Sequence, residues 1–397
     1  TGLPNRTLFE DRLHRALAQA RRPESIKPMK IRSLQIRAAR LAREVAGADQ
    51  LQGARRPRGI EFLVYTIATE CGRSASMFGF AGASAIGSAH LAASLGPFLA
   101  GRDVHDRELL WHDFRVQDRF WSLLPIYIYG PIDACLWLLA AEAAQLPLYK
   151  YIGACRDRVP VYVSSMFHQG AEAYVAEALA VQAAGYAAYK LHPPGKSVDE
   201  DLDIHAAVRQ AVGARYPLMS DPVARLTLPQ ALRYGRRLEE LDYLWLEEPM
   251  ADENITALRE LTRQLDIAVV GTEVIAKHPY SVADCIATQV VDAVRADVSW
   301  SGGITAVLKT AHLAEAFHAP CELHSTIFHP LELVNLHLNG AVANSRYLEL
   351  LWPTETFGFG LTSPLPIADG IATMPEGPGL GIALDWDVID NDTLEEL

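Results

Sequence analysis

The feature that constrains the fold most is a series of short apolar runs between residues 159 and 352. Each run has the composition of a buried β-strand, and a helical pattern of apolar residues follows it. The runs are VPVYVSS, AAYKLH, YPLMSD, YLWLEEP, IAVVGTE, DAVRADV, APCELHS and RYLELLW. Eight β-then-α units in about 200 residues predict an α/β fold, a (β/α)8 or TIM-like barrel.

A charged or imidazole side chain stands at or near the end of most of these runs. In chain order they are Lys190 with His192, then Asp221, Glu247, Glu273, Asp297, His324 and Glu349. Successive groups are 24 to 31 residues apart, which is the length of one strand and one helix. Because the C-terminal ends of barrel strands meet at one rim, this spacing predicts one group per strand around the barrel mouth.

Alternation along each strand predicts which way these groups point. Lys190 and His192 share one face of their strand. In YLWLEEP, Glu247 shares a face with Trp245, and the leucines on the other face suit contact with helices. The same rule turns Asp221 and His324 towards the inside of the barrel.

Three carboxylates, those of Asp221, Glu247 and Glu273, are predicted to lie side by side on successive strands. In a partly buried site they repel one another unless a cation neutralises them. We expect Mg²⁺, because hard divalent cations prefer carboxylate oxygens and no cysteine and histidine cluster indicates zinc. The alternative is three acids in independent salt bridges.

Basic groups flank this predicted metal site. Lys190 and His192 lie on one side of it and His324 on the other. Asp297, at the end of the preceding strand, can accept the second imidazole N–H of His324. The set suits abstraction of the proton α to a carboxylate, with the enediolate stabilised by the metal. Glu349 can donate a hydrogen bond to the enediolate if its pKa is raised.

The N-terminal part of the chain has a different organisation. Residues 1–22, TGLPNRTLFEDRLHRALAQARR, resemble the opening segment of a GGDEF domain, but no GGDEF loop follows. We interpret residues 1–28 as a leader or fusion-like segment, with a docking helix as the alternative. Residues 29–155 predict an α+β capping domain with strands EFLVYTIATECG and SASMFGFAG and two long apolar helices. The barrel is predicted for residues 156–375, and residues 376–397 form a C-terminal segment that packs back on the cap.

Several motifs together resemble the enolase superfamily, in its mandelate racemase subgroup. They are ACLWLLAAEAAQLPLYKYIG, YKLH, SDP, WLEEP, VGTE, ADVSWSGGIT and ELHS. The resemblance implies a modified barrel under a capping domain, with Asp221, Glu247 and Glu273 as Mg²⁺ ligands. It also implies an Asp297–His324 dyad, an electrophilic Glu349 and a homo-oligomer.

The chain departs from this family pattern at two positions. His192 stands where the family often has the second lysine of Lys-x-Lys. His192 is therefore predicted to take the proton-transfer position, with Lys190 behind it. Val223 stands where relatives often carry an asparagine, which leaves the polarity of the substrate side open there.

Candidate substrate-binding residues are fewer. Arg55 and Arg58 lie in a Gly- and Arg-rich segment between MKIRSLQIRAARLA, which alternates like a first strand, and the strand EFLVYTIATECG. They can meet an anionic substrate. A solvated basic loop is the alternative. His168, just after the first barrel strand, either contacts substrate or begins a helix.

Three functions are consistent with these residues. The favoured one is a sugar-acid dehydratase (hydro-lyase) acting on an aldonate or aldarate to give a 2-keto-3-deoxy acid. The second is a racemase or epimerase of an α-hydroxy acid, in which His192 and His324 act on opposite faces of one carbon. The third is a non-catalytic, signalling-associated domain, prompted by residues 1–28.

Bulk composition excludes some partners. The formal net charge of −12 over 397 residues disfavours nucleic acid as a partner. Five scattered cysteines indicate a reducing compartment, and no apolar run reaches the roughly 20 residues of a membrane span. We therefore expect a cytoplasmic protein with no membrane partner and a small carboxylate as its substrate.

Overall fold

Residues 28–41, 59–119, 124–273 and 278–397 are described by the computed structural model. The predictions for residues 1–27, including the GGDEF-like segment, and for Arg55 and Arg58 concern residues outside these ranges and stay predictions.

An antiparallel sheet forms the core of the cap. Its strands β1, β2, β3 and β14 are Ile31–Arg40, Glu61–Thr69, Ser74–Phe80 and Thr393–Glu396. The order is β14–β1–β2–β3, so the C-terminal residues add an edge strand beside β1. The sequence predicted β2 and β3, which pair with each other in antiparallel.

Helices cover this sheet and connect it to the barrel. They are α1 (Ala85–Ala93), α2 (Gly96–Leu99), α3 (Arg107–Gln117), α4 (Gly130–Ala143) and α5 (Leu148–Ile152). Each apolar segment that the sequence predicts as one long helix is divided in two. Pro97 stands in the first turn of α2 and Pro147 immediately precedes α5, as expected because proline suits a helix start and not a helix interior.

The eight predicted barrel strands are all present. Strands β4 to β11 are Arg158–Ser164, Ala188–Leu191, Leu218–Ser220, Trp245–Glu247, Ala268–Gly271, Ala293–Ala296, Cys321–Leu323 and Leu348–Leu351. Neighbours from β4 to β10 pair in parallel, and β11 pairs in parallel with β4. The backbone N–H of Cys321 donates to the carbonyl of Asn344 at 3.0 Å, next to the remaining gap between β10 and β11.

The helical half of the repeat is less regular than predicted. Helices α6 to α12 are Ala171–Ala183, Val198–Val212, Leu228–Glu240, Ile255–Gln264, Pro279–Ala287, Ile304–Ala316 and His329–Ala341. Directly after β11 the helix is reduced to the single turn α13 (Thr354–Phe357). The chain then forms the hairpin β12 (Ile367–Ala368) and β13 (Ile371–Thr373), which pairs antiparallel with β4, and the helix α14 (Trp386–Asp392). The eighth β-then-α unit is therefore incomplete, because the chain leaves the barrel to return to the cap.

Layers of side chains fill the barrel. An apolar cluster includes Ala188, Trp245, Ala293 and Tyr347, from or beside the alternate strands β5, β7, β9 and β11. Two residues further along these strands stand Lys190, Glu247, Arg295 and Glu349, all buried. Since side chains two residues apart share a face, the apolar layer supports a charged layer nearer the mouth.

Helix α4 joins the cap to the barrel through a buried carboxylate. Asp133 accepts hydrogen bonds from the backbone N–H of Thr305 at 2.8 Å and from its hydroxyl at 2.7 Å, in the first turn of α11. Burial raises the pKa of Asp133 to about 7. Gly303 makes this approach possible, because a Cβ there would lie 2.5 Å from the Cβ of Asp133. The loop between β9 and α11 is thus fixed to the cap.

One helical window, Ile126–Ala143, is long and apolar enough to cross a membrane. Of this window, 72% is buried inside the protein. Such burial is the usual pattern of a core helix.

Candidate active site

The three carboxylates converge as the strand spacing predicts. Asp221, Glu247 and Glu273 come from the ends of β6, β7 and β8, and each offers an oxygen within 4.8 Å of the others. Asp221 and Glu247 are buried, and Glu273 is partly exposed. We call these three residues the carboxylate triad.

Local turns aim the triad into the mouth. Asp221 Oδ1 accepts the N–H of Val223 at 2.7 Å, and Val223 has a positive φ of 55°. Glu248 Oε1 accepts the N–H of Glu273 at 2.8 Å. Glu248 thus holds the neighbouring loop and is not itself part of the triad.

A closed ring of opposite charges lies at the level of Glu247. Lys190 Nζ is 2.9 Å from Glu247 Oε1 and 2.7 Å from Glu349 Oε1. Arg295 is 3.0 Å from Glu247 Oε1 and also forms an ion pair with Glu349. We call these four residues the charge ring; each carboxylate in it contacts both cations.

The ring shifts the pKa values of Lys190 and Glu349. Burial alone would lower the pKa of Lys190, but Glu247 and Glu349 outweigh burial and raise it. Burial would raise the pKa of Glu349, but Lys190 and Arg295 outweigh it and hold that pKa well below its usual range. The sequence predicts a hydrogen-bond-donating Glu349 only if its pKa is raised, and the two cations act in the opposite direction in this structure. Glu349 accepts hydrogen bonds, including one from the N–H of Ser325 at 3.0 Å.

His192 lies between the loop after β4 and the triad. The backbone N–H of His192 donates to Ser165 Oγ at 2.8 Å, and the ring Nδ1 is 2.7 Å from the Ser165 carbonyl oxygen. A carbonyl oxygen only accepts, so Nδ1 carries the proton. Nε2 lies 3.2 Å from Asp221 Oδ2 and is the ring nitrogen directed at the triad.

His324 has the corresponding place on the other side. Its Nδ1 is 3.2 Å from Asp297 Oδ2, and its Nε2 is 3.0 Å from Glu273 Oε1. The structure thus brings Asp297 and His324 together as a dyad, with Nε2 again facing the triad. The two imidazoles contact opposite members of the triad.

The loop after His324 is held from helix α12. Glu332 is buried, and its Oε1 accepts the hydroxyl of Ser325 and the N–H of Thr326, both at 2.6 Å. Asn335 donates to the carbonyl of His324 at 2.8 Å. Burial raises the pKa of Glu332 to about 8. The orientation of His324 therefore depends on groups that do not face the mouth.

Aromatic rings connect His324 to the cap. The ring of Trp300 lies 5.0 Å from the His324 ring, and Phe80 at the end of β3 lies 5.7 Å from Trp300. The backbone N–H of Trp300 also donates to the carboxylate of Asp297. The cap thus contacts the dyad through Trp300.

His168 is not brought into contact with the triad. Its Nε2 lies 2.8 Å from Glu177 on helix α6, and Glu177 also accepts the hydroxyl of Tyr189 at 2.8 Å. Of the candidate substrate-binding residues, His168 is the one within the described ranges, and it stays a prediction.

Comparison with known proteins places the chain in a family. The family model described as enolase C-terminal domain-like matches residues 173–388. A D-mannonate dehydratase of Caulobacter sp. (strain K31) is 30% identical over 73% of this chain and 80% of its own length. The chain belongs to the enolase superfamily. An arabinonate dehydratase of Saccharolobus solfataricus is 26% identical over 73% of this chain and 79% of that protein.

Solved structures of enolase superfamily enzymes have the same fold. D-glucarate dehydratase from Agrobacterium tumefaciens, complexed with magnesium, superposes with a TM-score of 0.80 at 30% identity and covers 93% of this chain and 100% of its own. L-talarate dehydratase from Polaromonas sp. JS666, with magnesium and L-glucarate, gives 0.79 at 26% identity, covering 93% and 98%. The predicted TIM-like barrel with an N-terminal α+β cap is confirmed.

The triad of this enolase superfamily member suits a hard divalent cation. Three carboxylates from successive strand ends offer oxygen ligands at short separation. Burial raises the pKa of Glu273 well above its usual range, and the negative charges of Glu248, Glu247 and Asp221 raise it further. Excess negative charge on oxygen donors is what a divalent cation neutralises. The residues present therefore fit the cation found in the magnesium-bound neighbours.

Two residues beside the site were not predicted from the sequence, Arg295 and Ser165. Arg295 precedes Asp297 by two residues in DAVRADV, so strand alternation alone would have turned it into the barrel. Ser165 holds His192 through its backbone carbonyl, and no residue-type pattern reveals such a contact.

Proposed function

We propose that the protein is a Mg²⁺-dependent dehydratase of a sugar acid, an aldonate or aldarate, that gives a 2-keto-3-deoxy acid. The observation that carries this proposal is a pair of imidazoles with unlike partners on opposite sides of the carboxylate triad. Dehydration needs a base for one proton and an acid for the departing hydroxyl, and unlike partners favour unlike tasks.

Asp221, Glu247 and Glu273 are proposed to hold the cation. When bound, it supplies Lewis-acid stabilisation of the negative charge that develops on the substrate carboxylate. The charge ring holds Glu247 in place, since Lys190 and Arg295 both contact its Oε1. Because Lys190 and Arg295 lower the pKa of Glu349, its proposed role is to position Lys190 and the Ser325 N–H, not to donate a proton.

His192 is the proposed base. With Nδ1–H bonded to a neutral carbonyl, its Nε2 carries the lone pair and takes the C2 proton. The C2–H electron pair forms the C1=C2 bond of an enediolate. Lys190 lies beneath, fixed by two carboxylates, and keeps local positive charge near the developing anion.

His324 is the proposed acid. Asp297 accepts from Nδ1 and stabilises the imidazolium form by a charge-assisted hydrogen bond. As the enediolate electrons form a C2=C3 bond, the C3–O bond breaks and His324 Nε2–H gives its proton to the hydroxyl. Water leaves, and the enol product tautomerises to the 2-keto-3-deoxy acid.

Relatives support this class of reaction. Their names include arabinonate, D-mannonate and D-gluconate dehydratases, and structural neighbours include D-glucarate and L-talarate dehydratases. Monoacid and diacid substrates both occur among them. The proposal therefore extends to sugar acids as a class.

A panel of aldonates and aldarates with Mg²⁺ tests the proposal. A 2-keto-3-deoxy product, detected with semicarbazide, is the expected result for at least one member. No keto product from any member, with the triad occupied by Mg²⁺, would refute dehydration.

A racemase or epimerase is the second candidate, because Nε2 of both imidazoles faces the triad. It predicts that solvent deuterium enters C2 with inversion and without keto product. The same panel in deuterium oxide therefore separates the two reactions. A homo-oligomer and a cytoplasmic location remain predictions from the sequence.

A further inference from the structure

Arg295 is the least expected member of the charge ring. It comes from β9, and its side chain is fully buried in the barrel. Its guanidinium contacts Glu247, Glu349 and the hydroxyl of Tyr162, the last at 3.3 Å. A permanently charged group therefore lies directly against one member of the carboxylate triad.

Both carboxylate oxygens of Glu247 already face hydrogen-bond donors. Its Oε1 accepts from Lys190 at 2.9 Å and lies 3.0 Å from Arg295, while its Oε2 accepts from the indole N–H of Trp245 at 3.0 Å. A divalent cation at the triad must compete with these donors for the charge of Glu247. Lys190 also lies 3.9 Å from Asp221 Oδ2. The ion pairs of Arg295 are with Glu247 and Glu349, so among the three ligands its competition falls on Glu247.

We propose that Arg295 is a positioning residue that sets the charge of the metal pocket, weakening divalent-cation binding while it holds Glu247 and Glu349 in fixed orientations. The inference rests on the cation site of the proposed function. It makes a prediction opposite to that for an ordinary structural residue: loss of Arg295 should tighten metal binding. Removing a positive charge a few ångströms away makes the potential at the triad more negative.

The test is Mg²⁺ titration by calorimetry on substrate-free protein. Arg295→Met removes the charge at similar length, and Arg295→Lys keeps the charge. The expected result for Arg295→Met is at least about a tenfold lower Kd for Mg²⁺, because unit charges at this separation interact strongly even at an effective dielectric constant of about 20. Arg295→Lys should stay close to the wild type.

A matched control lies near the other end of the barrel. Arg346 forms an ion pair with buried Glu322 at 2.6 Å, but its own side chain is 52% exposed. Arg346→Met breaks an Arg–Glu pair of the same kind beside β10 and β11 and should leave the Mg²⁺ Kd unchanged. Equal tightening in this control would overturn the specific role of Arg295.

A second measurement, thermal unfolding, tests whether Arg295→Met is folded. Arg295→Met leaves the buried charge ring with one negative charge in excess, since both carboxylates then share Lys190. Added Mg²⁺ should therefore raise the Tm of the variant more than that of the wild type. If it does not fold, the double variant Arg295→Met, Glu349→Gln restores the charge balance and should bind Mg²⁺ about as the wild type does. A double variant that binds markedly more weakly would contradict a purely electrostatic role.

Failure of this inference is separable from failure of the proposed function. If the wild type binds Mg²⁺ and Arg295→Met binds it equally or more weakly, only the role of Arg295 is overturned. No Mg²⁺ binding in any variant overturns both. The substrate panel has no bearing on either result.

Discussion

The two histidines at the barrel mouth are held in the same geometry by chemically different partners. The Nδ1 of His192 lies 2.7 Å from a backbone carbonyl, that of Ser165. The Nδ1 of His324 lies 3.2 Å from the carboxylate of Asp297. In both rings Nε2 faces a member of the carboxylate triad.

This difference suggests a division of labour. A carboxylate stabilises an imidazolium more than a neutral carbonyl does, because hydrogen bonds between charged groups are the stronger ones. His324 is thus better suited to hold and deliver a proton, and His192 to accept one. A racemase, which runs in both directions, would gain from two bases with similar partners. The unlike partners therefore favour dehydration.

The largest expected effect comes from His192→Asn. Loss of the base should lower dehydration about 10²- to 10⁴-fold and also stop exchange of the C2 proton with solvent deuterium. Mg²⁺ affinity should be nearly unchanged, because the triad remains. Wild-type turnover in this variant would remove His192 from the mechanism.

His324→Asn should separate the two proton transfers. Dehydration is expected to fall by about 10²-fold or more, since the departing hydroxyl loses its acid. Exchange of the C2 proton should continue, because His192 still forms the enediolate. NMR of the substrate in deuterium oxide measures exchange and elimination together. Loss of exchange together with elimination would instead assign His324 as the base in a syn elimination.

Asp297→Asn makes the two histidines more alike. A neutral amide replaces the carboxylate, so dehydration should fall about 10- to 100-fold, as for loss of one charged hydrogen bond. The decline should appear in kcat more than in KM, because the dyad acts on proton transfer. In the His324→Asn background the same change should have little further effect.

A third histidine, His337, differs from these two because its Nδ1 accepts a hydrogen bond instead of facing an acceptor. Its Nδ1 accepts the N–H of Tyr149 at 3.3 Å, and its Nε2 lies 3.0 Å from the carbonyl oxygen of Leu380. Burial lowers the pKa of His337 to about 4. The ring is neutral in the folded protein, whereas the unfolded chain takes up a proton below about pH 6.5.

The sign of the pH dependence follows from this depressed pKa. The stabilisation is complete above the unfolded pKa and is lost as the pH falls from about 6.5 towards 4. Because of His337, the free energy of unfolding should be about 2 kcal/mol lower at pH 5 than at pH 7. Urea unfolding at both pH values measures this, and His337→Gln should reduce the difference. An unchanged difference in the variant would assign the pH dependence to other groups.

Ser165→Ala is the mildest test of the comparison. It removes the hydroxyl that accepts the N–H of His192 but keeps the carbonyl that orients the ring. We expect a loss of about 2- to 10-fold in turnover, as for one neutral hydrogen bond. A loss as large as that of His192→Asn would mean that the hydroxyl itself takes part in the chemistry.

Much of this site could be predicted from the sequence because barrel strands repeat. Regular spacing predicted that Asp221, Glu247 and Glu273 lie at one rim of the barrel. Alternation along the strands predicted that their side chains point inward. The order of Asp297 and His324 on adjacent strands was sufficient to predict their contact. These are one-dimensional regularities that a parallel barrel converts directly into proximity.

Ionisation states could not be predicted in this way. Glu349 was predicted to donate a hydrogen bond if its pKa is raised, whereas the contacts with Lys190 and Arg295 lower that pKa. Such a balance depends on which side chains from β5, β9 and β11 meet at one level inside the barrel. Strand order and tilt decide that, and neither can be obtained from residue types.

The sequence by itself determined the fold class, the carboxylate triad and the two imidazoles, since each follows from a local pattern repeated at a fixed interval. Only the tertiary structure decided that Lys190, Glu247, Arg295 and Glu349 close into a ring, and that a backbone carbonyl orients His192 while a carboxylate orients His324. The physical reason is that electrostatic energies depend on distances between groups far apart in the chain.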